Sequence, residues 1–151
     1  MITLPLHTER LVLRMVGLDD APTLAAYRSD PDVARYQDWP LPYTADQATE
    51  SIRRQAHLAG PTVGESVQVA IELDGAMIGD LYVGIGDLVD GGAQVTFGYT
   101  LATAHQGRGF ALEAAEAMVD ALFEHTPVHR IEATLDPLNI ASMRVLDLLG
   151  F

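Results

Sequence analysis

Gln106-Gly107-Arg108-Gly109-Phe110-Ala111 places an amide, two glycines and a guanidinium immediately before an alanine-rich helical run. Backbone NH groups at a helix start have no acceptor inside the helix. They point one way and carry the positive end of the helix dipole. Glycine lets such a turn approach a ligand with no Cβ in between. The chemistry offered is anion binding, worth about 0.3–1 kcal/mol when exposed and up to about 2 when partly buried. Arg108 either adds a charge-assisted contact or points to water, and the residue types leave both open.

Three loops of this kind bind phosphates. The NTPase loop needs a lysine after its last glycine. This chain has none: all nine of its basic residues are arginine. The dinucleotide fingerprint needs G-x-G-x-x-G near the first strand of a βαβ unit. Gly107 and Gly109 supply two glycines, but position 112 is leucine, and the turn lies two-thirds along the chain. The third pattern, Q-x-x-G-x-A, is spelled by Gln106, Gly109 and Ala111, and it suits a pyrophosphate that accepts several NH groups.

The elements around this turn can be read from periodicity and punctuation. RLVLR (10–14) alternates like a strand. Asp19-Asp20 precedes a helical run with Pro22 in its first turn. Thr44 and Gln47 form a capping box that opens a helix to about Leu58. VQVAIEL (67–73) puts Val67, Val69, Ile71 and Leu73 on one face, Asp74-Gly75 is a hairpin turn, and AMIGDLYVGI (76–85) is the return strand. A Gly91-Gly92 pair leads to QVTFGYTL (94–101). The helix from about Ala111 to Glu124 carries one narrow polar stripe, Glu113, Glu116, Asp120 and Glu124, so it is buried on most of its circumference, as when it packs on a sheet. Pro127 ends it, HRIEATL (129–135) follows as a strand, and Asn139 opens a last helix that Gly150 stops. The expected fold is α+β, a mostly antiparallel sheet with helices on both faces.

Composition narrows the function. A chain of 151 residues with 48% hydrophobic content builds one domain with a real core. The absence of cysteine removes thiol nucleophiles, disulfides and thiolate metal sites, and the absence of lysine removes a Schiff base. A net charge of −12 repels nucleic acid and favours cationic partners such as amines. The N-terminus has no secretory signal pattern, no apolar run reaches membrane length, and the absence of cysteine fits a cytoplasmic protein. His125 and His129 have a metal-like spacing, but Pro127 between them breaks the shared helical face, so no metal is expected.

GYTLATAHQGRGFALEA (98–114) resembles the acyl-CoA-binding segment of the GNAT acetyltransferase superfamily, and more narrowly the branch that includes ribosomal-protein alanine N-acetyltransferases. TERLVLR (8–14), DPDVARY (30–36) and DPLNIASMRVLDLLGF (136–151) resemble that branch as well, in the same order. The resemblance implies a GNAT-like acyl-CoA-binding domain over 1–151. It implies an N-acetyltransferase that moves an acetyl group from acetyl-CoA to a primary amine, on a protein or peptide N-terminus or a small molecule. Attack is direct, with no covalent enzyme intermediate. It further implies that Gln106, Gly107, Arg108, Gly109, Phe110 and Ala111 hold the pyrophosphate. Tyr99, Thr100, Leu101 and Ala102 would hold the pantetheine arm through their backbone. Asn139 would contact the arm, and Ser142 would stand near the sulfur as a proton donor to the leaving thiolate. Asn139 also reads as a helix N-cap between the staple residues Leu138 and Met143. Tyr36, Asp38 and Trp39 would border the acceptor pocket, where aromatics and a carboxylate suit an ammonium group; Trp39 reads equally as a core anchor.

Two departures from the family pattern matter. Many relatives carry a glutamate base where this chain has Thr96. A lysine-type amine of pKa about 10.4 is only ~0.1% neutral near pH 7.4, whereas an α-amine near 7.7–8 is roughly a third neutral. That difference is about 3 kcal/mol of barrier, so the threonine leans towards α-amines. Glu72, Asp80, Glu132 and Asp136 are candidate substitute carboxylates, each read first as a solvated strand or turn residue. The second departure is the stop at Gly150-Phe151, where the family continues into a further strand pair. The expectation is a sheet short of its final pair, either because the chain is truncated or because a partner copy in a homodimer covers the edge. A rival reading is a non-catalytic domain of the same fold that binds or senses acyl-CoA.

Overall fold

The computed structural model describes residues 2–35, 41–133 and 147. Among the described residues six strands form one sheet. They are β1 (Leu6–His7), β2 (Val12–Met15), β3 (Ser66–Leu73), β4 (Ala76–Ile85), β5 (Ala93–Leu101) and β6 (Val128–Ala133), side by side in chain order. Every neighbouring pair is antiparallel except β5 and β6, which are parallel. Parallel strands cannot be joined by a hairpin. The crossover here is the helix α4 (Phe110–His125), and it starts at the Gly107–Gly109 turn.

The β3–β4 hairpin turns on Asp74 and Gly75, with φ of 50° and 83°, the two left-handed residues a tight hairpin turn requires. In the β4–β5 connection the turn falls on Asp90 and Gly91, bridged by Val89 and Gly92, one residue earlier than the glycine pair implied.

Helices cover both faces. On one, Ala114, Ala115, Met118 and Leu122 of α4 are fully buried with Val67, Val69, Ile71, Val83, Val95 and Phe97. On the other, α1 (Ala21–Arg28) and α3 (Ala45–Arg54) place Leu24, Tyr27, Ala48 and Ile52 over Ala70 and Met77. A one-turn helix, α2 (Pro31–Ala34), follows α1. The capping box opens α3 as expected: Gln47 N donates to Thr44 Oγ1 (3.2 Å) and Thr44 N to Gln47 Oε1 (2.8 Å). Among the described residues no helix is long and apolar enough to cross a membrane.

Two expectations are corrected, and one residue gains partners the pattern did not show. The third helix ends at Arg54 and not near Leu58. Gln55 leaves it because its buried side chain accepts from Gln68 N (2.5 Å) and donates to Gln68 Oε1 (3.2 Å), a tie to β3 that helical continuation would break. Within the polar stripe of α4, Glu113 is held by three donors: it accepts from Thr8 Oγ1, Arg10 N and Arg10 Nε. Asp80 is not a solvated strand residue. It is 1% exposed, accepting from Tyr27 OH on one oxygen and from Arg28 Nη2 (3.1 Å) on the other.

Candidate active site

The chain leaves β5 at Leu101, makes a short 3₁₀ turn over Thr103–His105, and enters α4 through Gly107 and Gly109. Both glycines have φ of 79°, a left-handed conformation that costs other residues about 1–2 kcal/mol. A Cβ on Gly107 would meet nothing within 4 Å, so the loop's outer side is open. The NH groups of Gly107, Arg108, Gly109, Phe110 and Ala111 have no acceptor among the described residues. The NH of Gln106 donates to Thr103 O (3.3 Å), and its side chain donates from Nε2 to Leu101 O (3.0 Å). Gln106 therefore braces the turn, and the five residues after it present the donors. Phe110 is buried and anchors the helix start. Successive unpaired NH groups at a helix start are the kind of donor set that an anion with several acceptor oxygens can use.

β5 runs into this loop beside β4. Thr100 is buried and stands opposite Asp80, so the carboxylate held by Tyr27 and Arg28 lies under the last turn of the strand. Burial and the neighbouring Asp80 charge push the Tyr27 hydroxyl well above its ordinary pKa, which keeps it a donor. Next to it, β4 approaches β5 closely: a Cβ on Gly79 would lie 2.3 Å from Thr100 O. Gly79→Ala is expected to push the two strands apart and to cost about 1–3 kcal/mol of stability, checked by urea unfolding. A midpoint equal to that of the parent protein would contradict it.

The described pairing of β5 with β6 reaches Phe97↔Ala133, and the preceding pair is Thr96↔Glu132. Of the candidate carboxylates, Glu72 bonds Arg14 Nε (2.9 Å), Asp80 is enclosed, and Asp136 lies outside the described residues. Glu132 is exposed beside Thr96 and ion-paired with Arg130 Nη2 (2.7 Å). Tyr36, Asp38, Trp39, Asn139 and Ser142 also lie outside the described residues.

The two ends of the 30–43 stretch are nevertheless placed. Ser29 Oγ donates to Tyr43 O (2.7 Å) and accepts from Tyr43 N (3.1 Å). Asp30 Oδ2 accepts from Thr103 Oγ1 (3.0 Å), which ties this stretch to the turn after β5. Neither contact was predictable from local pattern, and the same holds for Arg10, whose guanidinium donates to Arg108 O in the turn before α4 (3.1 Å). The only sequence signal for Arg10 was its place in the TERLVLR segment.

Comparison with known proteins agrees with this geometry. The profile of a family described as an acetyltransferase (GNAT) domain matches residues 10–151. An uncharacterized N-acetyltransferase, p20, of Bacillus licheniformis is 34% identical over 147 residues, covering 97% of this chain and 81% of that protein. The structure of Mycobacterium smegmatis RimJ in complex with CoA-disulfide is similar with a TM-score of 0.76 at 28% identity, over 93% of this chain and 69% of that one. A ribosomal-protein-S5-alanine acetyltransferase from Vibrio fischeri shares the fold with a TM-score of 0.80 at 21% identity, over 98% and 82% of the two chains.

Proposed function

We propose, from the premise that this chain belongs to the GNAT acetyltransferase family and is an acetyl-CoA-dependent acyltransferase, that it acetylates uncharged primary amines, with peptide α-amines as its preferred acceptors. The observation that carries the coenzyme part is the set of NH groups from Gly107 to Ala111, turned outward at the start of a buried helix with no acceptor of their own. The similar RimJ structure was solved with a coenzyme A disulfide, which supports the same occupant here. Bound in this way, the coenzyme supplies the acetyl thioester. The chain's part is to hold the pyrophosphate at 107–111, to align the arm along Tyr99 to Ala102, and to admit the amine from the Thr96 face of the sheet. The transfer is direct, and no cysteine is available to carry the acyl group.

The acceptor preference follows from what surrounds Thr96. Threonine takes no proton at neutral pH, Glu72 and Asp80 are held by arginines, and Glu132 is ion-paired with Arg130. An amine that arrives already neutral needs no strong base. A peptide with a free N-terminus and no lysine is expected to release thiol from acetyl-CoA about 100-fold faster at pH 7.4 than an N-terminally blocked peptide with one lysine. The rate with the first should rise with pH, reach half its maximum at about 7.7–8 and level off about one unit higher, following the neutral fraction of its amine. Equal rates for the two peptides would overturn the α-amine reading. Absence of thiol release with any peptide, polyamine or aminoglycoside would overturn the acceptor class as a whole.

A further inference from the structure

We propose that Arg10 is a positioning residue for the coenzyme loop and that it acts together with Glu113; this rests on the reading of 106–111 as the coenzyme site. Arg10 lies 98 residues before the loop, in the connection between β1 and β2. One side chain nonetheless reaches four residues of the loop and helix start: Arg108, Gly109, Phe110 and Glu113. Its Nη1 donates to Arg108 O (3.1 Å), and its Nε donates to Glu113 Oε1 (2.7 Å). Its guanidinium carbon lies 4.4 Å from the centre of the Phe110 ring. Its Nη2 has no hydrogen-bond partner among the described residues and lies 3.5 Å from where a Cβ on Gly109 would be.

The bond to Arg108 O has a direct consequence for anion binding. The 108–109 peptide is trans and planar, so its C=O and the NH of Gly109 point in opposite directions. Holding the carbonyl towards Arg10 turns the Gly109 NH away from it, to the side where an anion would be received. Glycine at 107 and 109 gives the loop many alternative conformations, and Arg10 selects one of them.

Glu113 fixes the guanidinium in place. Its other oxygen accepts from Arg10 N (2.9 Å) and Thr8 Oγ1 (2.5 Å), so three donors converge on one carboxylate. Partial burial pushes this carboxyl up, but the hydrogen bonds from Thr8 and Arg10 and the Arg10 charge hold it below the ordinary glutamate range. Arg10 also neutralises a negative charge that would otherwise sit in the first turn of an anion-binding helix. Lysine cannot replace it, because a single ammonium group does not bridge a carboxylate and a carbonyl in this fork geometry.

The test is coenzyme A binding by calorimetry for the parent protein, Arg10→Lys, Glu113→Gln and the double variant. Each single variant is expected to weaken binding about 10-fold or more, and the double variant to be no weaker than the worse single within about twofold. In steady state the KM for acetyl-CoA should rise in Arg10→Lys while kcat stays within about threefold. Hydrogen exchange of the 106–111 amides reports the loop itself and should speed up in Arg10→Lys even if binding is too weak to quantify. Binding by Arg10→Lys within twofold of the parent, or a double variant that multiplies the two losses, would overturn the proposal. If Gly109→Pro also binds as the parent does, the coenzyme reading of the loop fails and the role of Arg10 fails with it. If Gly109→Pro loses binding while Arg10→Lys keeps it, only the role of Arg10 fails.

Discussion

Asp80→Ala is expected to lower folding stability by about 3–5 kcal/mol, the range for removing one partner of a buried ion pair. Asp80 is fully enclosed between β4 and α1, and both of its oxygens are used. The Arg28 guanidinium it faces is itself buried, stacked 5.2 Å from the Tyr43 ring. Alanine would remove the Asp80 carboxylate from beside that cation and leave the Tyr27 hydroxyl without the acceptor it uses. For a domain of this size each kcal/mol shifts the midpoint by about 2–4 °C, so the melting temperature should fall by about 6–20 °C. Asp80→Asn keeps the shape and one acceptor and should lose distinctly less. The effect should reach the coenzyme as well, because Thr100 is the strand partner of Asp80 and precedes the loop. A melting temperature within a couple of degrees of the parent for Asp80→Ala would mean that the triad adds nothing to stability, and Asp80 would become a candidate for a role in transfer instead.

Where the sequence was legible, the determinants were neighbours in the chain. The Asp74-Gly75 turn, the Thr44–Gln47 box and the loop from Gln106 to Ala111 each act through residues within a few positions of one another. Their geometry follows from residue type alone, since a left-handed turn selects glycine and a helix start selects a hydroxyl cap. The misreadings share the opposite property. Asp80 meets Tyr27 across 53 residues, Arg10 meets Glu113 across 103, and Gln55 reaches Gln68 on a different element. An acidic residue on an alternating strand looks solvated until the fold supplies an arginine behind it. Likewise a glutamate on the polar stripe of α4 looks free until the first strands of the chain are laid beside the helix. The turn at 107–109 could be read because its determinants are glycines adjacent in sequence; the contacts of Arg10 and Glu113 beside it could not.

Gly109→Pro is expected to weaken coenzyme A binding by about 100-fold or more, because two separate properties of the loop are lost at once. Gly109 sits at φ 79°, and the proline ring holds φ near −65°, so the chain on either side must rotate by a large angle. Proline also lacks the NH that the bond from Arg10 to Arg108 O directs outward. Each hydrogen bond to a charged group contributes about 1.5–3 kcal/mol, and each 1.4 kcal/mol is a factor of ten, so losing two such bonds already gives the expected effect. Gly109→Ala separates the causes. It keeps the NH, its Cβ would meet only Arg10 Nη2 at 3.5 Å, and it carries only the left-handed cost of about 1–2 kcal/mol, which predicts a loss of about 5- to 30-fold. The helix should survive both changes, since Ala114, Ala115, Met118 and Leu122 hold it to the sheet well beyond the loop. The graded order of parent, alanine and proline in a binding titration, with α4 intact by circular dichroism, is what a coenzyme cradle requires. Equal affinity across the three would place the coenzyme elsewhere on the molecule and leave the outward NH groups of Gly107 to Ala111 for another anion.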